Sequence, residues 1–526
     1  MKHSIYNWCL SLLMLSTIGS FLACSDDDEV SYGPFSVDKT EVKLTNNLAA
    51  TERIVITSPA DWKINSDVAW LTMDAGMEAY GTSGNGINLN LYVTENTNEA
   101  ARMATLTLVN LSDKSKLTVK ISQPGHTPQS YTDTNSSAPA GMQSNATKLI
   151  KEMKTGINLG NTMESNSADE TSWGNPTTTK AMIDALNAQG FNTIRIPVRW
   201  APRADEDMNI DAMAMARVKE VVDYAYSQGM YVILNSHHDS WYDRVVPGTL
   251  SETKTDIIAK FNKMWTQIAT TFKDYDEHLL FAGTNEVIYI SQGKEVWDEP
   301  TNEDLFVYMK DLNQTFIDAV RATSGNNAWR TLIVQPWSAN PTFALKHFVK
   351  PIDTVENRML LEFHYYQPYN FCQQQGDDTK GENMYFWGAP YADYRYAVST
   401  VNVDGVNMSA EAAITKMFAD LKYKFVDQGM PVIMGEYGAV KHEKTSGNST
   451  FGLNFTKSEE SRAYYLQYVV KEAKNHGFPA LFWDNNCIGT TGENFGLFDR
   501  NNGMTPYSQS AVDAILKGAS EGVYPF

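Results

Sequence analysis

Two glutamates stand where short apolar runs give way to glycine and polar residues. Glu286 ends LLFAGTNE, which starts at Leu279, and Glu436 sits in PVIMGEYG, which starts at Pro431. Two carboxyl groups that meet over one bond can divide the work. One stays protonated and helps an oxygen leave, while the other stays ionised and attacks carbon or activates water. Cleaving a glycosidic bond needs this division. A lone Glu at the end of a strand is ordinarily a surface ion-pair residue, so the pair matters only if the fold unites it. Asn161, His237, Trp337, His364 and Trp483 also follow apolar runs. Residues of this kind either cap the mouth of a barrel or line a site there.

Their chemistry suits a sugar. Arg195 cannot lose its charge and would hold a carboxylate ionised. Asn285 can bond a hydroxyl as donor or acceptor. A Trp face covers the apolar side of a pyranose without demanding charge. His237, His238 and Asp239 come nearest to a metal set. Adjacent residues on a strand point to opposite faces, so the two imidazoles are not expected to share one ion. No HExxH, CxxC or Cys/His ligand spacing occurs, and no metal or other cofactor is expected. His238 is read as a wall or core residue.

Eight apolar runs would position these groups. They begin near Gly156 (GINLGN), Thr193 (TIRIPV), Tyr231 (YVILNSH), Leu279, Thr331 (TLIVQPW), Met359 (MLLEFHYY), Pro431 and Pro479 (PALFWDNN). Helix-like stretches lie between them, at Thr179 to Ala188, Met213 to Ser227 and Ser461 to Asn475. Strands alternating with helices imply a parallel sheet. The fold expected for 146–526 is α/β, a (β/α)8 barrel with the polar residues gathered on its C-terminal face. A doubly wound open sheet is the alternative, without the Gly-rich phosphate loop that would favour it. The long segment from Gln367 to Ser409 carries Tyr369, Phe371, Tyr385, Phe386, Trp387, Tyr391, Tyr394 and Tyr396, and is expected to wall the leaving-group side of the site.

Ahead of the barrel the period changes to two. Ile54 and Ile56, then Ile87, Leu89, Leu91 and Val93, then Leu106 and Leu108, then Leu117, Val119 and Ile121 alternate with polar neighbours. Short alternating runs between turn residues predict a small all-β, immunoglobulin-like antiparallel sandwich over 34–124, with Trp62 and Trp70 in its core. Residues 125–145 are rich in Ser, Thr, Pro, Gly and Gln and read as an unordered linker.

The formal net charge of −19 excludes a nucleic-acid partner, because nothing here would neutralise a run of phosphates. Residues 1–23 have a polar start and a short apolar stretch, the shape of a secretory signal rather than a membrane span. Phe21-Leu22-Ala23-Cys24 resembles a bacterial lipobox, with Phe21 where Leu is usual. It implies that Cys24 is acylated and becomes the first mature residue. The acidic tether 24–33, with Ser25-Asp26-Asp27-Asp28-Glu29, resembles the export tag of Bacteroides-type surface lipoproteins. That likeness implies a cell-surface, outer-membrane lipoprotein of a Gram-negative bacterium; a plain solvated linker is the alternative. Cys372 and Cys487 are expected as free buried thiols, with a disulfide between them as the alternative, and the protein is expected as a monomer.

Six pieces in order, RIPV at Arg195, NSHH at Asn235, GTNE at Gly283, HYY at His364, GEYG at Gly435 and FWDN at Phe482, resemble glycoside hydrolase family 5. The resemblance spans the whole barrel. It implies that Glu286 is the acid/base and Glu436 the nucleophile of a retaining mechanism. It assigns Asn285 to the sugar 2-hydroxyl, and Arg195 and Tyr366 to orienting the nucleophile. It places His237 and His364 around the central subsite, beside the wall residue His238, with Trp483 as the stacking platform. Val287 stands where the family often has Pro, on a side chain that need not reach the sugar. GINLGNTME at Gly156 and TSWGNP at Thr171 resemble the subfamily of endo-β-1,4-glucanases, mixed-linkage glucanases and xyloglucanases, which brings Asn161 and Trp173 to the sugar-binding face and implies a β-glucan partner. A mannanase on the same machinery remains a rival, as does a surface glycan-binding lipoprotein without catalysis. The preceding β unit, with ADWKI at Ala60 and ISQPG at Ile121, resembles the BACON domain, read as a spacer.

Overall fold

The computed structural model describes residues 31–74, 76–128, 133–373, 378–403, 405–490 and 493–526. The leader, Cys24 and most of the acidic tether lie outside the described residues. The chain forms two compact units, one ending at His126 and the other starting at Thr127.

The first unit has a four-stranded and a five-stranded sheet. Alternation builds it: Arg102–Asn110 buries Ala104, Leu106 and Leu108 and turns the residues between them outward. Ile54, Ile56, Trp62, Ile64, Leu91, Val119 and Ile121 complete the core. Trp70 is only half-buried, beneath the Arg102 guanidinium 4.2 Å above its ring. The sandwich is not wholly antiparallel, since Glu41–Lys43 pairs parallel with Lys116–Gln123.

The second unit is a closed barrel of eight parallel strands. They are β1 (Gly156–Leu159), β2 (Thr193–Ile196), β3 (Tyr231–Asn235), β4 (Leu279–Ala282), β5 (Leu332–Val334), β6 (Met359–Tyr365), β7 (Val432–Tyr437) and β8 (Ala480–Asp484). Every residue in them is buried, because helices cover one face and the barrel interior the other. That is why each reads as a continuous apolar run. The pleat sends Ile233, Leu280, Ile333, Leu360, Ile433 and Leu481 into one interior layer. Helix Ala146–Glu152 adds Leu149 and Ile150 to that layer. Each is fully buried, which contributes about 1.5–3 kcal/mol apiece.

The second half of the expected linker is ordered. Ala138 and Met142 are buried, Arg358 donates to the carbonyls of Met142 and Ser144, and the Ser144 hydroxyl bonds Glu277. A buried guanidinium needs acceptors, and these backbone carbonyls meet that need, so composition alone misjudged the segment. The aromatic segment after β6 also differs from expectation. Tyr385, Phe386 and Trp387 are buried. Trp387 packs on Tyr464, Tyr465 and Tyr468 of helix Phe455–Asn475, and Tyr385, Phe386 and Trp387, with the buried Phe371, belong to the core, while Tyr369 and Tyr394 stay exposed. Cys372 and Cys487 form no disulfide with each other; the Cys372 thiol is buried and Cys487 is half-buried. No helix among the described residues is long and apolar enough to cross a membrane.

Candidate active site

The site sits above the apolar layer, at the C-terminal ends of the strands. On β6 the two-residue period carries Leu360, Glu362 and His364 inward in turn, from the apolar layer to the mouth. On β7 the register slips beside His364, which pairs with Glu436 while Phe363 pairs with Met434. This bulge turns the Glu436 side chain to the mouth. It needs glycine at 435, where a Cβ would lie 2.2 Å from the Glu362 carboxylate. Glu286 lies just past β4 with φ of +45°, a backbone state that costs about 1–3 kcal/mol for a non-glycine residue. The Gln335 side chain accepts its N–H at 2.9 Å and holds it there.

Glu286 and Glu436 face each other. One carboxylate oxygen of each and Nδ1 of His364 lie within 4.8 Å of one another. Arg195 is fully buried; its Nη1 bonds Glu436 Oε1 at 2.8 Å and Asn158 Oδ1 at 3.0 Å, and its Nη2 bonds Asn285 Oδ1 at 2.6 Å. The Tyr366 hydroxyl donates to Glu436 Oε2 at 3.1 Å. His364 Nδ1 is 2.6 Å from Glu286 Oε1 and 3.6 Å from Glu436 Oε2, and its Nε2 is 3.0 Å from Glu362 Oε1. Asn285 and Asn235 each approach one nitrogen of His237 at 3.3 Å, and His237 stacks on Trp483 at 5.6 Å between centroids.

Charge is arranged around one shared proton. Burial pulls the His364 imidazole down, but Glu436 and Glu286 outweigh it and push it up to about 10. Burial raises Glu286, yet the adjacent His364 leaves it below the ordinary carboxylate range. Glu436 is raised, by burial and by the two neighbouring carboxylates, against the pull of His364 and Arg195. Taken alone, these directions oppose the roles expected of the pair. The hydrogen bonds decide between the two. Glu436 receives donors from Arg195 and Tyr366, which favour its ionised form. Glu286 faces only the exchangeable hydrogen of His364, and moving that hydrogen along a 2.6 Å bond makes Glu286 the acid. Burial, with His238 and Arg195 nearby, keeps His237 neutral, and burial pushes His238 down to about 4.

Glu286, His364 and Glu436 are close enough to surround a cation. His364 Nδ1 and Glu286 Oε1 already bond each other at 2.6 Å, so a proton shared between them takes the place a cation would need. His237 and His238 do not point to opposite faces as strand neighbours would. Both lie beyond β3, His238 has φ of +56°, and their rings meet edge-to-face at 4.3 Å instead of pointing apart. The neutral His237 has both nitrogens engaged by Asn235 and Asn285, which removes it as a ligand.

Trp173 is 39% exposed with its ring 6.1 Å from His238, at the rim. Asn161 shapes the turn after β1: its N–H bonds Glu164 and its carbonyl accepts from Asn175. Trp337 is 2% exposed and packs against Tyr289 and Phe306, which leaves little face for a sugar. The residue types that sequence reasoning passed over are the buried polar ones, Asn158, Gln335 and Glu362. The two-residue period of MLLEFHYY, with Glu362 and His364 on one face, was the available signal.

Comparison with known proteins gives one consistent result. The family model described as cellulase (glycosyl hydrolase family 5) matches residues 152–488. A xyloglucan-specific endo-beta-1,4-glucanase of Bacteroides ovatus is 32% identical over 521 residues, 96% of this chain and 95% of its own length. Endoglucanase A of Ruminococcus albus is 34% identical over 71% of this chain and 93% of its own. Among solved structures, the Bacteroides ovatus family 5 xyloglucanase in complex with a XXXG heptasaccharide aligns with a TM-score of 0.63 at 30% identity, covering 93% of this chain and all of that one.

Proposed function

Because this chain belongs to glycosyl hydrolase family 5, we propose that it is a retaining endo-β-1,4-glucanase of soluble plant polysaccharide, with xyloglucan its preferred substrate. One observation carries the mechanism: the carboxylate oxygens of Glu286 and Glu436 approach within 4.8 Å. Retaining enzymes hold their two carboxyl groups about 5–5.5 Å apart, and inverting ones about 6.5–9.5 Å. Glu436 is the nucleophile and Glu286 the acid/base. An oxygen of Glu436 bonds to the anomeric carbon as the glycosidic C–O bond breaks. The electron pair stays on the leaving oxygen, which takes the proton of Glu286. Water then attacks the glycosyl ester, its proton goes to Glu286, and Glu436 is released. Asn285, held by Arg195 and His237, presents its amide to the 2-hydroxyl, and Trp483 stacks the sugar.

The substrate reading is supported by the Bacteroides ovatus relative, whose name specifies xyloglucan and which this chain matches over nearly its whole length. The hairpin that follows Glu286 (Ile288–Ser291 and Lys294–Val296) supplies the leaving-group wall. Trp297 there is 45% exposed, with the Arg244 guanidinium 5.9 Å from its ring centroid. The lipobox-like run ending at Cys24 and the acidic residues after it support an acylated, cell-surface enzyme of the outer membrane. The sandwich is a BACON-like spacer within that arrangement, and the protein a monomer.

Sugar release from xyloglucan, barley β-glucan, carboxymethyl-cellulose and mannan tests the substrate; faster turnover of mannan would replace this reading. Proton NMR of the first product should show the β-anomer. Glu286→Ala and Glu436→Ala should each abolish glucan hydrolysis while binding by calorimetry survives. Binding without turnover by the wild-type protein would make it a glycan receptor. Loss of palmitate labelling in Cys24→Ala cells tests the anchor.

A further inference from the structure

Strand β6 carries an acid that two-carboxylate chemistry does not call for. Glu362 is fully buried. Its Oε1 is 3.0 Å from each of Arg195 Nη2, His364 Nε2 and Gln335 Nε2, while Oε2 has no hydrogen-bond partner. Burying a carboxylate is costly, and an unbonded oxygen adds to the cost; an apolar side chain would pack there with less penalty. The strand beside it even forgoes a side chain at Gly435 to make room. What an apolar residue could not supply is an acceptor beneath His364.

The partner of one imidazole nitrogen sets the state of the other. Arg195 and His364 hold the Glu362 carboxyl below its ordinary range against burial, so it is ionised and can only accept. His364 Nε2 must therefore carry a hydrogen, and Nδ1 becomes the exchangeable position. We infer that Glu362 is a positioning residue for the acid/base step, which pins hydrogen on His364 Nε2 so that Nδ1 can receive the Glu286 proton and return it. Two states share one set of heavy-atom positions. In one, Glu286 is a carboxylic acid donating to the Nδ1 lone pair; in the other, the imidazolium donates Nδ1–H to the Glu286 carboxylate. Glu286 thus keeps a neighbour that accommodates it before and after it gives its proton to the leaving oxygen. This inference rests on the retaining reading above.

The charged and titratable groups facing His364 are Glu362 on its own strand, Tyr366 just beyond it, Glu436 on β7, Glu286 after β4, Arg195 on β2 and His237 after β3. Glu362→Gln removes one negative charge from this set and leaves only a neutral, weaker acceptor beneath His364. His364 then holds its proton less tightly, so the alkaline limb of kcat/KM should move to lower pH, by about one unit. For glucan, whose leaving group needs a proton, kcat/KM should fall about 100-fold or more; for 2,4-dinitrophenyl β-cellobioside, whose leaving group does not, it should fall less than about 10-fold. Equal losses on both substrates with an unmoved alkaline limb would overturn the inference. NMR of wild-type enzyme with nitrogen-labelled histidine tests it without the variant: His364 should carry hydrogen on Nε2 across the activity range, and a neutral ring protonated only on Nδ1 would refute it. An inverting wild-type enzyme would instead remove the retaining reading beneath it.

Discussion

Removing the Tyr366 hydroxyl should move the acid limb of the pH–rate profile upward. This hydroxyl donates to Glu436 Oε2 at 3.1 Å, while Arg195 serves Oε1 at 2.8 Å. Burial, then Glu436 and Glu286, push Tyr366 well above its ordinary range, so it remains a donor at every assay pH. A hydrogen bond to the ionised form lowers a carboxyl pKa, and deleting it raises that pKa. Such a bond to a charged group contributes about 1.5–3 kcal/mol, and about 1.36 kcal/mol corresponds to one pKa unit. In Tyr366→Phe the acid limb should therefore rise by about one to two units. Activity should fall most on the acid side, where Glu436 becomes protonated and can no longer attack. The Phe ring retains the edge contact with Phe495 at 5.7 Å, so Tm should change little. The assay is kcat/KM for an aryl β-cellobioside from pH 3 to 9, with thermal unfolding as a control. An acid limb that stays in place, or moves to lower pH, would refute the claim that Tyr366 holds Glu436 ionised.

Gly435→Ala places a Cβ 2.2 Å from the Glu362 carboxylate, so it should cost about 1–3 kcal/mol or more by overpacking and lower both Tm and kcat. Leu149→Ala opens a cavity in the interior layer and should cost about 2–5 kcal/mol in urea unfolding, with kcat in the native state unchanged. Trp483→Ala removes the stacked partner of His237 and the sugar platform together, so KM for xyloglucan should rise by about tenfold, corresponding to about 1.4 kcal/mol, measured by initial rates.

The strand pattern and the identity of the mouth residues were legible before any coordinates. Eight buried strands read as eight apolar runs, each found within a residue of its start, because a parallel strand covered on both faces admits little else. Glu286 and Glu436 could be singled out because GTNE and GEYG, each ending an apolar run, stand in order among the six pieces that resemble the family. Residue order could not show that their oxygens lie within 4.8 Å, since only closure of the barrel and the bulge beside Gly435 bring them together. The period of β6 puts Glu362 on the face of His364, but only the tertiary structure, with β2 and β5 delivering Arg195 and Gln335 to it, shows how an acid is tolerated inside an apolar run. Phe371, Tyr385, Phe386 and Trp387 after β6 were misread for the same reason: a ring looks alike in sequence whether it meets a sugar or a helix, and only packing decides which.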